Sequence, residues 1–244
     1  MIQHRDRRNY SYKALLVTPI AVLVFSLGAL PPFALGFLFF HLVSFTIWWH
    51  YLLVPFILYI GAMIFFVSEL FLSGALIAIF NITYKPGTYS YAPLDTNAFK
   101  WLIICVLYTP MRRLLEIFPV GRVKTMYYRL LGMKIGQNTL VGGAMQDPCM
   151  ISIGSNTTVG EYVVIYGHIH NVKEGTILIA PVSIGNNCII GAGVIIMPGA
   201  VIQDDVTVAA GAVVTQRQVL QNGKSYAGIP AKDLKKKRRS SKRK

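Results

Sequence analysis

An apolar block fills the first third of the chain. From Ala14 to Thr83 the one formally charged side chain is Glu69. A run of about 70 such residues is enough for two helices that each cross a hydrocarbon core about 30 Å thick, or for three tightly spaced ones. We expect an N-terminal membrane anchor over residues 1–83, with one helix within 14–40 and a second within 45–82.

Prolines subdivide this block. Pro31 and Pro32 lie in its first half, and Pro55 lies near the start of the second predicted helix. Because proline lacks an amide hydrogen and clashes with the preceding turn, these residues are expected to kink or delimit helices. Residues 31–50 are an alternative third element, either re-entrant or interfacial.

From Ile135 the pattern changes to a period of six. Most hexads open with an aliphatic residue: IGQNTL, VGGAMQ, DPCMIS, IGSNTT, VGEYVV and IYGHIH, then, from Ile184, IGNNCI, IGAGVI, IMPGAV, IQDDVT, VAAGAV and VTQRQV. A period of six fits neither an α-helix nor an alternating strand. It fits an all-β solenoid with three hexads per coil and the opening aliphatic inside. Glycine and asparagine beside it tolerate the positive φ that the corners require.

The period breaks once, directly after His170. The stretch NVKEGTILIAP does not follow it, and we expect an extruded loop over about 171–183 within a solenoid of residues 135–220. Insertions in solenoids often lie on the binding face. His168 and His170 flank an inward position, so both are predicted to face outward. They form either a site or a pair of solvated polar residues.

Residues 84–134 are predicted to connect the two parts. A loop rich in turn residues, KPGTYSYAPLD, is followed by stretches with apolar and basic-aromatic residues at helical spacing. These helices either pack on the soluble domain or lie in the cytoplasmic headgroup layer. In the second case Trp101, Tyr127, Tyr128 and neighbouring arginines would hold them there.

The net charge is +14, and basic residues flank the apolar block on both sides. Since Lys and Arg near membrane helices mark the cytoplasmic side, we expect an even number of crossings and a β-solenoid on the cytoplasmic face. The C-terminal segment 221–244 ends in a basic tail, Lys235–Lys244, which suits anionic membrane lipids or an acidic carrier protein. Nucleic acid is not expected, because no aromatic interleaving accompanies the charge.

Three cysteines, Cys105, Cys149 and Cys188, follow no metal-binding spacing. We therefore expect free thiols in a reducing compartment and no metal. The apolar run is too long for a cleaved signal peptide.

The end of the repeat resembles a known family. PVSIGNNCIIGAGVIIMPGAVIQDDVTVAAGAVVT (181–215) and then AGIPAK (227–232) are similar to the end of the hexapeptide-repeat acetyltransferases that act on sugars and antibiotics. The resemblance implies a left-handed parallel β-helix that assembles as a homotrimer.

A narrower resemblance lies upstream. PGTYS (86–90), the helix with Lys100 and Trp101, and LLGMKIG (130–136) look like the membrane-embedded terminal domain of some non-ribosomal peptide synthetases. That domain also joins membrane helices to a hexapeptide repeat.

In the acetyltransferase family a histidine at or just before an extruded loop is the general base, in the cleft between trimer subunits. The resemblance assigns this role to His170 or His168. His170, which we favour, has the spacing of the synthetase-terminal group, whereas His168 follows Gly167 as in the sugar acetyltransferases. An imidazole can take a proton from an acceptor hydroxyl or amine near neutral pH. Glu161 and Glu174 are candidates to orient it, although each also suits a solvated surface.

The resemblance also implies acetyl-CoA or another acyl-CoA as donor, with its pantetheine arm along a prism edge and bonded to backbone amides. Small residues that would leave this edge open, and that also simply suit corners, are Gly191, Ala192, Ala209, Ala210 and Gly211. Arg217 and Lys232 are candidate partners for the nucleotide phosphates. A carrier-protein-bound acyl donor is an alternative.

These features predict a membrane-anchored, multi-pass acyltransferase. It would move an acyl group, most simply acetyl, onto a hydroxyl or amine of a lipid-linked or membrane-associated acceptor. A membrane-anchored trimeric scaffold is an alternative that fits the basic tail but not the histidine pair. A carbonic anhydrase on the same prism needs three histidine ligands on zinc, whereas the repeat contains two histidines.

Overall fold

The computed structural model describes residues 12–91, 94–117 and 121–234. The predicted basic tail, Lys235–Lys244, lies outside the described residues. The described residues form two compact units, and each unit is built from more than one stretch of the chain. The first consists of residues 12–85, 89–131 and 172–176, and the second of residues 86–88, 132–171 and 177–234.

The first unit is helical. Its described elements are α1 (Tyr12–Gly28), α2 (Leu30–Leu42), a 3₁₀-helix (Trp48–Leu53), α3 (Val54–Ile79), α4 (Thr96–Ile117) and α5 (Gly121–Leu130). Two stretches, Leu15–Leu42 and Trp48–Ile79, are long and apolar enough to cross a membrane. The prolines expected to delimit helices stand in the first turns of α2 and α3, where the missing amide hydrogen costs no hydrogen bond.

The connector helices pack inside this helical unit. α4 packs on α1 and α3, and α5 packs on α3. Trp101, Tyr127 and Tyr128 are 9%, 1% and 0% exposed, so they are core side chains rather than anchors in a headgroup layer. The prediction that these aromatic residues anchor the connector in a headgroup layer is wrong, and neither predicted placement included packing on the apolar helices. Burial of three aromatic rings explains the arrangement, since each removes a large apolar area from water.

The second unit is a parallel β-solenoid. A strand, β1 (Gly87–Ser90), precedes α4. The strands that follow α5 are β2 (Lys134–Ile135), β3 (Leu140–Val141), β4 (Ala144–Met145), β5 (Ile151–Ile153), β6 (Thr158–Val159), β7 (Val164–Ile165), β8 (His168–Asn171), β9 (Thr176–Ile179), β10 (Val182–Ile184), β11 (Ile189–Ile190), β12 (Ile195–Ile196), β13 (Val201–Ile202), β14 (Thr207–Val208), β15 (Val213–Val214), β16 (Val219–Leu220), β17 (Ser225–Ala227) and β18 (Lys232–Asp233). A 3₁₀-turn, Pro148–Met150, lies between β4 and β5.

The chain visits three sheets in turn, and these are the sides of the predicted prism. Their strand orders are β2–β5–β10–β13–β16, β3–β6–β11–β14–β17–β18 and β4–β7–β12–β15. Ile184 pairs with Ile202 in parallel register, and 202 − 184 gives the 18 residues of three hexads. Hexad-opening residues such as Val159, Ile165 and Ile196 are 0% exposed and form the core. The predicted fold class, apolar helices followed by a hexapeptide-repeat β-helix, is confirmed.

The break in the period is a β-hairpin rather than the predicted loop over 171–183. β8 and β9 are hydrogen-bonded neighbours joined by a turn. Ile177 and Ile179 of β9 are 0% and 1% exposed. Their alternation with polar or half-buried positions favours a strand with one buried face. The insertion adds 13 residues to one coil, because Ile153 pairs with Ile184 and 184 − 153 − 18 is 13.

Candidate active site

A buried carboxylate holds one of the two histidines. Nδ1 of His168 lies 2.6 Å from Oδ2 of Asp147. The Asp147 side chain is 0% exposed and that of His168 is 13% exposed. The same Oδ2 accepts a hydrogen bond of 2.8 Å from the backbone N–H of Gly167. With Nδ1–H donating to the carboxylate, the basic lone pair of the imidazole is on Nε2, the arrangement that a general base requires.

The local fold brings this pair together. Asp147 follows β4, and His168 follows β7, the strand that pairs with β4 in parallel. Gly167 allows the approach, since a Cβ at this position would come 2.7 Å from Cβ of Asp147 and 3.1 Å from its Oδ2. A side chain at residue 167 would therefore push the carboxylate away from the imidazole.

His170 lies next to this pair. Its ring centroid is 4.9 Å from that of His168, and the rings meet edge to face at 69°. Partial burial, and next the neighbouring His168, lower the pKa of His170, against an opposing effect of Asp147. His170 is exposed, as predicted. The prediction that His168 also faces solvent is wrong, because its ring contacts the buried carboxylate of Asp147 and its side chain is largely buried.

Neither predicted glutamate is the acceptor at Nδ1 of His168. Glu161 is exposed, and its backbone carbonyl accepts from Gly193. Glu174 is exposed in the turn between β8 and β9, which belongs to the helical unit. The residue in that role is Asp147, which the sequence analysis did not select. A signal for it existed, because Asp147 opens the hexad DPCMIS at a place where the other eleven hexads have an aliphatic residue.

The small residues predicted for the donor edge lie at one corner of the prism. Ala192 and Ala210 are exposed, and Gly211 has a left-handed φ of 70° with nothing within 4 Å of an added Cβ. Gly191, by contrast, is packed, since a Cβ there would come 2.5 Å from the nitrogen of Ala210. Three of the five backbone amides already have hydrogen-bond acceptors within the solenoid. The N–H groups of Gly191, Ala209 and Gly211 already donate to carbonyls of neighbouring coils, at 2.8, 2.8 and 2.9 Å.

The two candidate phosphate partners lie elsewhere on the solenoid. Arg217 and His168 each stand three residues after paired strands of the same sheet, so they share a corner two coils apart. That corner is one prism side away from the corner of Gly211. Arg217 is exposed, and its Cγ would lie 2.9 Å from a Cβ added at Gly199. Lys232 is exposed in β18, which pairs antiparallel with β17.

Among the residues that the structure describes, no group of three or more His, Cys, Asp or Glu side chains could hold a metal ion. Cys105, Cys149 and Cys188 are free thiols. The three-ligand zinc site of a carbonic anhydrase is thus not found in the described part of the chain.

Comparison with known proteins points to one class of repeat. Residues 181–216 match the family model described as bacterial transferase hexapeptide (six repeats). A protein of Bacillus subtilis (strain 168), YvoF, named as a candidate acetyltransferase, is 34% identical over 102 residues. The match covers 39% of this chain and 56% of YvoF, so the chain spans about half the length of that curated relative.

Solved structures of acetyltransferases are also similar to this chain. A maltose O-acetyltransferase from Clostridium difficile 630 is 25% identical with a TM-score of 0.46, covering 61% of this chain and 91% of that one. A hexapeptide-repeat acetyltransferase from Vibrio cholerae, complexed with acetyl coenzyme A, is 20% identical with a TM-score of 0.42, covering 51% and 82%. In its repeat pattern, and in its match over residues 181–216, the β-solenoid of this chain is similar to the hexapeptide repeats of bacterial transferases.

Proposed function

We propose that this chain is an acyltransferase that moves an acyl group, most simply acetyl, from a coenzyme A thioester to a hydroxyl or amine. The observation that carries the proposal is the His168–Asp147 pair, with its 2.6 Å contact and fully buried carboxylate. The pair lies in a hexapeptide-repeat domain whose curated relative is named as a candidate acetyltransferase. A buried carboxylate costs free energy unless it is hydrogen-bonded, so its place behind an imidazole favours a chemical role.

The proposed reaction needs one base and no enzyme nucleophile, because a thioester is already activated. Nε2 of His168 takes the proton from the acceptor O–H or N–H as that atom attacks the acyl carbon. The new C–O or C–N bond forms, the C–S bond of the donor breaks, and the imidazolium returns its proton to the thiolate of coenzyme A. Asp147 keeps Nδ1 protonated and stabilises the imidazolium. In this proposal the base is His168, and His170 is a neighbour that shapes the site.

We further propose that the donor lies along the open corner at Gly193 and Gly211. This corner and the corner of His168 are different corners of one chain, so a site that uses both needs a second copy. A homotrimer with its axis parallel to the solenoid meets this need and is typical of the family. Arg217 and Lys232 are exposed cations within the solenoid and are proposed partners for the phosphates of the donor.

The acceptor is proposed to be membrane-associated. The surfaces of α2 and α3 expose large apolar side chains, including Phe33 at 74%, Phe37 at 76% and Phe56 at 68%. Such surfaces are stable in lipid rather than in water. Basic residues on both sides of the apolar block favour a cytoplasmic solenoid. This placement favours a lipid-linked hydroxyl or amine at the cytoplasmic face as the acceptor.

The proposal is tested with the full chain in detergent, labelled acetyl-CoA and a lipid extract of its native cells. We expect label in a lipid product, with one free thiol released per acetyl group transferred. A parallel arm with an acetylated carrier protein distinguishes the two donors. Binding of neither donor and no transfer from either would contradict the proposal and favour a scaffold.

A further inference from the structure

One corner of the solenoid carries an unusual residue. Tyr162, Gly193 and Gly211 each stand three residues after mutually paired strands, β6, β11 and β14, so they stack at the same corner of successive coils. Their φ angles are 61°, 67° and 70°. Glycine adopts this left-handed conformation without cost, whereas a bulky aromatic residue is strained in it.

Among the described residues, little packing compensates for this strain. The Tyr162 side chain is 84% exposed, so its ring buries little area against the solenoid. Backbone strain at a residue that packs on nothing is a feature of binding and catalytic sites more than of cores.

The corner formed by Tyr162, Gly193 and Gly211 is here called the shelf. It is open at the two glycines and ends at Tyr162. On one side, nothing lies within 4 Å of a Cβ added at Gly193 or Gly211. With coils about 4.8 Å apart, the open edge extends about 10 Å from Tyr162. On the other side the chain turns early, because two residues join β3 to β4 whereas four join β6 to β7. Tyr162 therefore overhangs a shortened corner and stands at the end of the shelf.

Tyr162 lies at the same height along the solenoid as His168. Tyr162 and His168 belong to the same coil, on either side of β7. Rotation about an axis parallel to the solenoid keeps each residue at its coil level. In the proposed trimer, Tyr162 of one copy and His168 of a neighbouring copy therefore lie at one level, where the acyl group has to be during transfer.

We propose that Tyr162 is a specificity-determining residue, which closes the acyl end of the donor shelf and restricts the donor to short-chain acyl thioesters such as acetyl-CoA. This inference rests on the proposed function. It concerns the length of the acyl chain, which neither the His168–Asp147 pair nor the small residues of the shelf would limit.

The test measures dissociation constants of the full chain in detergent for CoA, acetyl-CoA and octanoyl-CoA. We expect the wild-type chain to bind acetyl-CoA at least tenfold more tightly than octanoyl-CoA. Tyr162→Gly should reduce that ratio at least tenfold. Tyr162→Phe keeps the ring and should keep the ratio, and Val219→Ala, at a 53% exposed position of β16, is the control for an unrelated exposed side chain.

Stability distinguishes this role from a structural one. Because glycine relieves the strain at φ 61°, Tyr162→Gly should melt at the same or a higher temperature than the wild-type chain. If it fails to fold, Tyr162→Asn, which tolerates a left-handed φ, replaces it in the same measurement. An unchanged acetyl-to-octanoyl ratio in the folded variant overturns the role of Tyr162 and leaves the proposed function standing. A wild-type chain that binds none of the three ligands overturns both.

Discussion

Nδ1 of His168 and the backbone N–H of Gly167 both contact Oδ2 of Asp147, at 2.6 and 2.8 Å. One fully buried oxygen thus fixes an imidazole ring and the backbone turn that carries it. This relationship joins residues 21 positions apart through the pairing of β4 with β7. It is the basis of the first prediction.

Asp147→Asn should reduce acyl transfer by about 10²- to 10⁴-fold with little change in folding, because a neutral amide stabilises the imidazolium less than a carboxylate does. Its NH₂ group can also donate to Nδ1 and so favour the wrong tautomer of the imidazole. The measurement is kcat/KM for acetyl-CoA together with the thermal midpoint. Glu161→Gln is the matched control, since Glu161 is an exposed carboxylate of the same region. Comparable losses in both variants would argue against a specific role for Asp147.

His170 should make the solenoid less stable in acid. Its pKa is lowered, first by burial and then by His168. Between this lowered pKa and the unfolded value of 6.5, the unfolded chain binds more protons than the folded chain. The stabilisation is therefore complete above about pH 6.5 and is lost as the pH falls toward the folded pKa.

The check is a series of thermal midpoints from pH 8 to pH 5. His170→Gln removes the titrating group and should flatten the part of the curve that it causes. Identical curves for the wild-type chain and His170→Gln would show that this histidine does not couple protonation to folding.

Asparagines at the corners form a ladder whose loss should destabilise the solenoid. Asn138, Asn156, Asn187 and Asp205 have φ angles of 52°, 56°, 56° and 56°. The side chain of Asn156 bonds to those of Asn138 and Asn187, each at 3.4 Å. Asn156→Ala should cost about 1–2 kcal/mol, from the left-handed backbone and the lost hydrogen bonds. Asn156→Gly relieves the backbone and should cost less, so equal losses by calorimetry would contradict the conformational part of the explanation.

Gly28 should be required where α1 meets α3. A Cβ at Gly28 would overlap the carboxyl group of Glu69, a residue that is 0% exposed. Gly28→Ala is expected to destabilise the helical unit by about 1–3 kcal/mol through overpacking. Gly36→Ala is the control, because nothing lies within 4 Å of a Cβ there. A thermal midpoint in detergent that responds equally to both changes would disprove the contact.

The solenoid could be predicted from the sequence because its information is local. Each coil pairs with the next at a fixed offset, as Ile190 does with Val208, so the spacing of aliphatic residues is sufficient to predict the fold. The packing of Trp101 and Tyr127 inside the helical unit could not be predicted, since amphipathic spacing shows which face is apolar but not what covers it.

The histidine site could be predicted only in part. The period break pointed to His168 and His170, but the partner of His168 depends on an irregular coil. Met145 pairs with Ile165 across 20 positions, whereas Val141 pairs with Val159 across 18. The shift arises because two residues join β3 to β4 whereas four join β6 to β7. This shift and the 3₁₀-turn at Pro148–Met150 place Asp147 next to the imidazole of His168. A strict period of six contains no such shift.

The central claim is that His168 is the general base, and it is tested most directly by comparing His168→Ala with His170→Ala. The measurement is kcat/KM for acetyl transfer from acetyl-CoA to the native lipid extract, with thermal midpoints as the control for folding. We predict a loss of about 10²- to 10⁴-fold in His168→Ala and of less than about tenfold in His170→Ala. Full activity in folded His168→Ala, with activity lost in His170→Ala, would contradict the claim and assign the base to His170.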